Sequence, residues 1–271
     1  CPGAMIDGNI ISGAGTDGIL VTEGCNGTVI SGNGIIGGTH STGISVFSSG
    51  ELTVAGNHVD CEYGIYAEYS DRDVIDGNNL GSCSNTGVWL VVTGNSTVSN
   101  NNCSGAMYGI RLSESANNTV SDNLCINDGQ TAIYLDISRD NNIIGNNCSG
   151  AMTGIQLTES VNNTVSDNVC RDNLIYGIHL DYSDNNTVSG NDCLGNLQIG
   201  IMLDGSGWNA VKDNLIHNNF FSGLYMYQAN NNTVSGNDYV GSNLGINFIG
   251  SNGNLITDNR FEANYNGMVL V

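Results

Sequence analysis

The heptapeptide Asn117-Asn118-Thr119-Val120-Ser121-Asp122-Asn123 recurs almost unchanged at residues 162–168, 185–191 and 231–237. In every copy an aliphatic residue is followed three positions later by Asn. The same pair occurs twelve times in the 271 residues, at intervals of 21 to 24 residues. We identify the paired Asn residues as Asn9, Asn33, Asn57, Asn78, Asn101, Asn123, Asn147, Asn168, Asn191, Asn214, Asn237 and Asn259. A fixed period of this length is typical of repeat architectures.

A second short element follows each pair. It is a small residue, then an apolar residue, any residue and usually another apolar residue, as in Gly109-Ile110-Arg111-Leu112. Alternation with a period of two predicts short strands, and Gly or Asn between them predicts corners. A leucine-rich repeat has a similar period, but its Leu-rich consensus and helix-compatible half are missing. The pattern therefore predicts one all-β domain over residues 1–271, a parallel solenoid of about twelve coils of 21–25 residues.

The twelve Asn residues should lie in register. Stacked coils place equivalent residues roughly 4.8 Å apart, so twelve coils would form a rod of about 55 Å. Asn side chains at that spacing can bond one another and the turn backbone, as in cross-β ladders. We predict a structural Asn ladder rather than twelve ligand sites.

The repeated heptapeptides resemble right-handed parallel β-helix repeats. They are most similar to the NosD-like repeats of the carbohydrate-binding-and-sugar-hydrolase type, and the resemblance covers essentially the whole chain. This family includes enzymes, binding modules and structural surface proteins, so the resemblance implies a fold more than an activity. Asn-Asn-Thr-Val repeats are abundant in surface proteins of methanogenic archaea. The resistant, acidic and cysteine-dependent tubular sheaths of some methanogens are therefore one implied setting.

The composition excludes several classes of function. The chain has 26 acidic and 6 basic side chains, giving a formal net charge of −20, which argues against binding nucleic acid or anionic membranes. It contains no stretch of 18 apolar residues, so we predict no membrane insertion. The 42 Asn and 38 Gly residues disfavour helices and fit a protein rich in turns.

The cysteines follow the repeat. Five of them occupy consecutive coils at intervals of 22 or 23 residues: Cys103, Cys125, Cys148, Cys170 and Cys193. They are either small buried apolar residues or partners in disulfides between coils. The best candidates for disulfides are Cys1 with Cys25 and Cys61 with Cys83, and an odd total of nine leaves one thiol over. A metal site is disfavoured because the chain has no Cys-x-x-Cys.

Outward positions of the second element carry the candidate site residues. Tyr66, Trp89 and Tyr134 could form a strip that binds sugars. His179, Asp181 and Asp204 should be neighbours on adjacent coils, where they could provide acid and base groups or bind Ca²⁺. An ordinary solvated β-face is the alternative for both groups. We otherwise expect no cofactor.

The regular period, without long insertions that build clefts, favours a structural role. No polar helical cap is evident at either end, so we predict uncapped ends that pair with further copies of the chain. The leading hypothesis is an extracellular structural protein of an archaeal surface layer or sheath, self-assembling by coil stacking and disulfides. The alternatives are a polysaccharide hydrolase or lyase that uses His179, Asp181 and Asp204, and a non-catalytic module that binds glycans.

Overall fold

The computed structural model describes residues 1–38 and 40–271. The described residues form 31 short strands and no α-helix, which confirms the all-β prediction. No helix long and apolar enough to cross a membrane occurs in this part of the chain. In chain order the strands are β1 (Met5–Asp7), β2 (Ile10–Ala14), β3 (Asp17–Val21), β4 (Val29–Ser31), β5 (Gly34–Gly37), β6 (Thr42–Phe47), β7 (Thr53–Ala55), β8 (His58–Asp60), β9 (Tyr63–Glu68), β10 (Val74–Asp76), β11 (Thr86–Val91), β12 (Thr97–Ser99), β13 (Tyr108–Ser113), β14 (Thr119–Ser121), β15 (Thr131–Asp136), β16 (Asn142–Ile144), β17 (Thr153–Thr158), β18 (Thr164–Ser166), β19 (Tyr176–Asp181), β20 (Thr187–Ser189), β21 (Asp192–Leu194), β22 (Ile199–Asp204), β23 (Ala210–Lys212), β24 (Leu215–His217), β25 (Ser222–Tyr227), β26 (Thr233–Ser235), β27 (Asp238–Val240), β28 (Leu244–Ile249), β29 (Leu255–Thr257), β30 (Arg260–Glu262) and β31 (Asn266–Leu270).

Two twelve-stranded parallel sheets run the length of the rod, so the chain makes the expected twelve coils. The narrow sheet consists of three-residue strands in the order β1-β4-β7-β10-β12-β14-β16-β18-β20-β23-β26-β29. The broad sheet consists of five- and six-residue strands in the order β3-β6-β9-β11-β13-β15-β17-β19-β22-β25-β28-β31. Each strand between the two ends of these sheets therefore pairs with its equivalent in the preceding and the following coil.

A third face closes each coil between the narrow and the broad sheet. It contains the short sheets β2-β5-β8 and β21-β24-β27-β30. Between them the face continues as single parallel bridges from coil to coil, including Leu124 with Asn147 and Asn147 with Val169. The third face is thus less regular than the other two, and its residues are harder to align from sequence alone.

Each coil buries a similar set of inward side chains. In the sixth coil these are Val120 from the narrow sheet, Cys125 from the third face, and Ile133 and Leu135 from the broad sheet, all with 0% exposure. Burying an aliphatic side chain of this size contributes roughly 1.5–3 kcal/mol. Repeated in each coil, these side chains form one continuous apolar core along the rod.

The recurrent heptapeptide can now be explained residue by residue. Asn117 and Asp122 have left-handed backbone conformations, with φ of 59° and 55°, which Asn and Asp tolerate better than most residues. Between these two corners lies the short strand β14, whose central Val120 points into the core. Asn118 and Asn123 each follow a corner residue, and the side-chain amides of both turn inward and donate to the Asn side chain of the next coil.

The predicted Asn ladder is present along all twelve coils. In its middle, the backbone N–H and the side-chain amide of Asn123 both donate to Oδ1 of Asn146, each at 3.0 Å. Asn146 repeats these bonds to Asn168 at 2.9 and 3.0 Å. It also donates to the Val120 carbonyl of the preceding coil at 2.9 Å. The ladder therefore satisfies buried backbone groups at each corner as well as its own side chains.

One member of the predicted ladder is wrong. Asn147 lies on the third face, and Asn146 takes its place in the ladder. The reason is the register of the narrow sheet, which turns Ile143 into the core and leaves Ile144 39% exposed. The sequence has two aliphatic residues here, Ile143 and Ile144, and two asparagines, Asn146 and Asn147. The repeat period alone therefore allowed either Asn to be the ladder residue. Asn147 instead accepts a hydrogen bond from the Ser149 hydroxyl at 2.7 Å.

Two further ladders built mainly of Asn were not predicted. The second ladder lies where the narrow sheet begins and consists of Asn118, Asn141, Asn163, Asn186, Asn209, Asn232 and Asn254. The third lies between the third face and the broad sheet and consists of Asn173, Asn196, Asn219, Ser242 and Asn264. The sequence contains a signal for the second ladder, because each Asn of this ladder lies five residues before an Asn of the first ladder.

Candidate functional site

The outer face of the broad sheet carries a regular row of large side chains. The strand register aligns the residues expected to face outward: Tyr66, Trp89, Arg111, Tyr134, Gln156, His179, Met202, Tyr225 and Asn247. Two positions later a parallel row includes Asp181 and Asp204, which are direct partners on β19 and β22. Alternation within six-residue strands places both rows on the same side of the sheet.

Five aromatic residues near the first half of the row form what we call the aromatic strip: Tyr63, Tyr66, Trp89, Tyr108 and Tyr134. Trp89 meets Tyr66 edge to face at 5.3 Å between ring centroids and stacks on Tyr63 at 6.1 Å. Tyr108 stacks on Tyr134 at 6.0 Å. These separations lie within the usual range for aromatic pairs. The rings thus support one another on an otherwise flat sheet.

Arg111 joins the two halves of the aromatic strip. Its guanidinium carbon lies 4.7 Å from the Trp89 ring centroid and 5.5 Å from that of Tyr134, within the range of cation–π contacts. The guanidinium also lies 3.7 Å from the Asp136 carboxylate. Its charge is therefore partly compensated within the protein, and its planar guanidinium lies against rings of both halves.

A shallow cleft of about 370 Å³ opens beside the strip. It is lined by Asp17, Thr42, Ser45, Phe47, Tyr63, Tyr66 and Trp89. Polar edges of the rings are held in place, since the Tyr66 hydroxyl donates to Glu68 at 3.0 Å and the Trp89 Nε1–H to Ser113 at 3.2 Å. Burial, followed by the Glu68 carboxylate, raises the pKa of Tyr66 to about 12. Its hydroxyl therefore stays protonated at physiological pH.

Two members of the strip, Tyr63 and Tyr108, were missed by the sequence reasoning. Each begins its strand, directly before the glycine that marks the second repeat element. That glycine interrupts the simple alternation, so the tyrosine was not counted as part of the outward row. The signal was the recurrence of Tyr-Gly at Tyr63, Tyr108 and Tyr176.

The structure also brings together His179, Asp181 and Asp204. One ring nitrogen and one oxygen from each carboxylate lie within 4.8 Å of one another. Burial lowers the pKa of the His179 imidazole to about 4, against the opposing effect of Asp204, so the ring is neutral at physiological pH. Burial raises the pKa of Asp181, and burial together with Asp181 raises the pKa of Asp204. The group offers two adjacent carboxylates and an uncharged imidazole, a set that can exchange protons or hold a cation.

The predicted disulfides are not formed in this structure, where all nine cysteines are free thiols. Cys1 is exposed, and its amino group, not its thiol, contacts Cys25 Sγ at 3.1 Å. The Cys83 thiol points to the Val59 carbonyl at 3.6 Å, whereas Cys61 lies beside Ser41. Coil spacing suits disulfides, but these side chains point to different partners. The five consecutive cysteines, from Cys103 to Cys193, have 0% exposure.

Thiol labelling should separate these cysteines by burial. Burial and the neighbouring Cys148 thiol raise the pKa of Cys170 well above its usual value, so little reactive thiolate forms there. We expect Ellman's reagent to react quickly with Cys1 in the native protein and with all nine thiols only after unfolding. A sample reduced beforehand is the control. Fewer than nine thiols in unreduced, denatured protein would show that disulfides form after all.

Comparisons with known proteins agree with this architecture. The family described as "right handed beta helix region" matches residues 2–148 and 125–261. No curated protein matches the chain by sequence. A double mutant of the periplasmic alginate epimerase AlgG is similar in structure, with a TM-score of 0.70 and 17% identity over 93% of this chain and 77% of that chain.

Two other solved structures illustrate the range of proteins with this fold. The Azotobacter vinelandii mannuronan C-5 epimerase AlgE4 A-module has a TM-score of 0.63 and 16% identity over 99% of this chain and 89% of that chain. Tailspike protein 3 of bacteriophage CBA120 has a TM-score of 0.75 and 14% identity over 98% of this chain and 49% of that chain. Identities this low show the fold alone. Together with the family match across nearly the whole sequence, they establish that the chain belongs to the right-handed parallel β-helix family.

Proposed function

We propose that this protein binds polysaccharides outside the cell through the outer face of its broad sheet. The observation that carries the proposal is the aromatic strip, in which half-buried rings lie side by side next to a shallow cleft. Two structurally similar proteins are named as epimerases of alginate and mannuronan, which supports a polysaccharide as the class of ligand.

The strip suits the chemistry of sugar rings. A sugar presents apolar C–H faces, which can pack on flat aromatic rings, and hydroxyl groups around its edge, which need polar partners. Thr42, Ser45 and Asp17 line the cleft beside the rings and can bond such hydroxyls. Strands lie roughly 4.8 Å apart, so the strip from β9 to β15 extends for about 14 Å. A glycan running along the rod axis could contact several rings at once.

Charge favours neutral over acidic glycans. The net charge of −20 repels polyuronates at a distance. Locally, the single guanidinium of the strip already lies near Asp136, and Asp17 and Glu68 flank the cleft and ring edges. We therefore expect neutral polysaccharides to bind more tightly than alginate or polygalacturonate at low salt. The difference should shrink as salt is added, because salt screens the repulsion.

Replacing Trp89 by Ala tests the strip. It removes the ring that contacts Tyr63, Tyr66 and Arg111, so we expect affinity for the best neutral glycan to fall roughly tenfold or more. Binding can be measured by affinity electrophoresis across neutral and acidic glycans. Trp208→Ala is the matched control, because Trp208 is 64% exposed in a turn between β22 and β23.

Tryptophan fluorescence gives an independent readout. In a Trp208→Phe background Trp89 is the remaining tryptophan, so its emission should change on addition of the bound glycan. Glycan affinity that survives Trp89→Ala, with native folding shown by circular dichroism, would rule out the strip. Release of reducing ends that is lost in an Asp181→Ala/Asp204→Ala variant would instead support the hydrolase alternative.

The structural role predicted from sequence, in a surface layer or sheath, stays a prediction. The disulfides predicted within the chain are not formed in this structure, whereas disulfides and coil stacking between copies stay predictions. A structural protein could also bind glycans through the strip, so the two functions are compatible. Gel electrophoresis of native assemblies with and without reductant would test the cross-links.

A further inference from the structure

The second cluster on the broad sheet, formed by His179, Asp181 and Asp204, differs in chemistry from the aromatic strip. His179 and Asp181 lie two residues apart on β19 and so face the same side of the sheet. Asp204 is the register partner of Asp181 on β22. The cluster lies two strands beyond Tyr134, roughly 10 Å along the rod. It is close to the strip and separate from it.

The His179 side chain has an unmet hydrogen-bonding requirement. Its Nε2 atom is buried and has no hydrogen-bond partner among the described residues. On one side the ring packs against Tyr176, at 4.7 Å between centroids, and its register partner on β22 is the buried Met202. A buried polar atom without a partner is costly, so its presence points to a ligand that supplies the missing interaction.

The two carboxylates also lack compensation. Across the described residues, the ion pairs made by arginine and histidine side chains do not include Asp181 or Asp204. Two carboxylates held side by side repel each other, and a bound cation would relieve this repulsion. The pair of His217 and Asp238, on β24 and β27 of the third face, differs because Arg260 already binds Asp238 at 2.7 Å.

We propose that His179, Asp181 and Asp204 form a binding site for a divalent transition-metal ion of the Zn²⁺ type. An imidazole nitrogen with two carboxylate oxygens is a donor set that suits Zn²⁺, whereas Ca²⁺ prefers oxygen ligands alone. Ligand atoms around Zn²⁺ lie about 2.0–2.2 Å from the ion, so neighbouring ligands are roughly 3.4 Å apart. The three ligand atoms now lie within 4.8 Å of one another, and rotation of the partly exposed aspartate side chains can bring them to that spacing. This site goes beyond the proposed glycan binding and does not depend on it.

Titration calorimetry with Zn²⁺ tests the proposal on the metal-free protein. Exposed Cys1 and its neighbour Cys25 could bind Zn²⁺ themselves, so the experiment uses a Cys1→Ser/Cys25→Ser background. We expect one equivalent of Zn²⁺ to bind and affinity to fall roughly tenfold or more in Asp204→Asn and in His179→Gln. His217→Gln is the matched control and should leave binding unchanged.

Cobalt provides a second readout. Co²⁺ bound at the same site should give visible absorption bands that disappear in Asp204→Asn and persist in His217→Gln. Equal Zn²⁺ affinity in the background protein and in both cluster variants would overturn the proposal. So would Ca²⁺ binding that matches Zn²⁺ and is insensitive to His179→Gln, since it would assign the aspartates to an oxygen-only site. Thermal unfolding of each variant checks that the fold is retained.

Discussion

Replacing Asn146 by Ala should lower the free energy of unfolding by about 3–5 kcal/mol, among the largest effects of any single substitution in this chain. Asn146 is fully buried and links three consecutive coils. Its Oδ1 accepts two bonds from Asn123, and its own amides donate to Asn168 and to the Val120 carbonyl. Alanine would leave several of these partners buried and unpaired.

The adjacent residue provides the control. Asn147→Ala should cost less than about 1 kcal/mol, because Asn147 is only partly buried and its side chain accepts one bond, from Ser149. Urea unfolding, monitored by far-ultraviolet circular dichroism, measures the change in the free energy of unfolding for both variants. Equal effects at the two positions would contradict the ladder register described above, and a larger effect at Asn147 would restore the alignment predicted from sequence.

Replacing Asp128 by Asn should stabilise the protein at neutral pH. Asp128 occupies a position of the third ladder that Asn fills in later coils, and it is 2% exposed. Its Oδ1 accepts the Ala106 N–H at 3.0 Å, but its Oδ2 is buried without a partner among the described residues. Burial raises the pKa of this carboxyl from 3.8 to about 8. The folded state therefore favours the protonated form.

The sign of the pH dependence follows from the raised pKa. Below about pH 4 the carboxyl is protonated in both states and imposes no ionisation penalty. Between about pH 4 and pH 8 the unfolded chain ionises and the folded chain does not, so stability falls as pH rises. At pH 8 the penalty is about 3–5 kcal/mol, because each tenfold change in proton affinity corresponds to about 1.4 kcal/mol and the surroundings of the charge relax in part.

An amide at position 128 removes this penalty and gains a donor. In a later coil the Asn196 amide donates to the Cys170 carbonyl at 3.1 Å, and the equivalent acceptor for position 128 is the Cys103 carbonyl. We expect Asp128→Asn to be more stable than the wild type at pH 8 and nearly equal to it at pH 4. Exposed Asp258→Asn is the control, with a change below about 0.5 kcal/mol. Equal stability of Asp128→Asn and the wild type at pH 8 would contradict the prediction.

The fold could be predicted from the sequence because every coil repeats the same short pattern of residues. An aliphatic residue three positions before Asn sets the corner, and every coil repeats it, so one register error at Asn147 left the other eleven positions correct. The second ladder was missed because the first Asn of each heptapeptide is a corner residue while the second turns inward. The sequence shows the two as adjacent Asn residues, and the backbone conformation shows which of the two side chains turns inward.

The candidate site was partly accessible for the same reason. Alternation placed Tyr66, Trp89 and His179 on one face, and the structure keeps them there. The alternation pattern does not show which outward side chains are covered by their neighbours. Met202 was expected to face outward, but it is only 7% exposed. It also does not give side-chain direction. For that reason coil spacing suggested a disulfide between Cys61 and Cys83, whose thiols point to different partners.

The Asn ladders have a direction. In all three, the backbone N–H of one coil donates to the side-chain oxygen of the next coil toward the C-terminus, as from Asn123 to Asn146, Asn118 to Asn141 and Asn173 to Asn196. Aligned bonds polarise one another in the same sense. The rod is therefore polar, and its two ends differ. A coil from another copy that stacks on either end can continue the ladders in one orientation only. Stacking of this kind is head-to-tail, the geometry of open filaments, whereas a two-fold dimer through either end would set like groups against like.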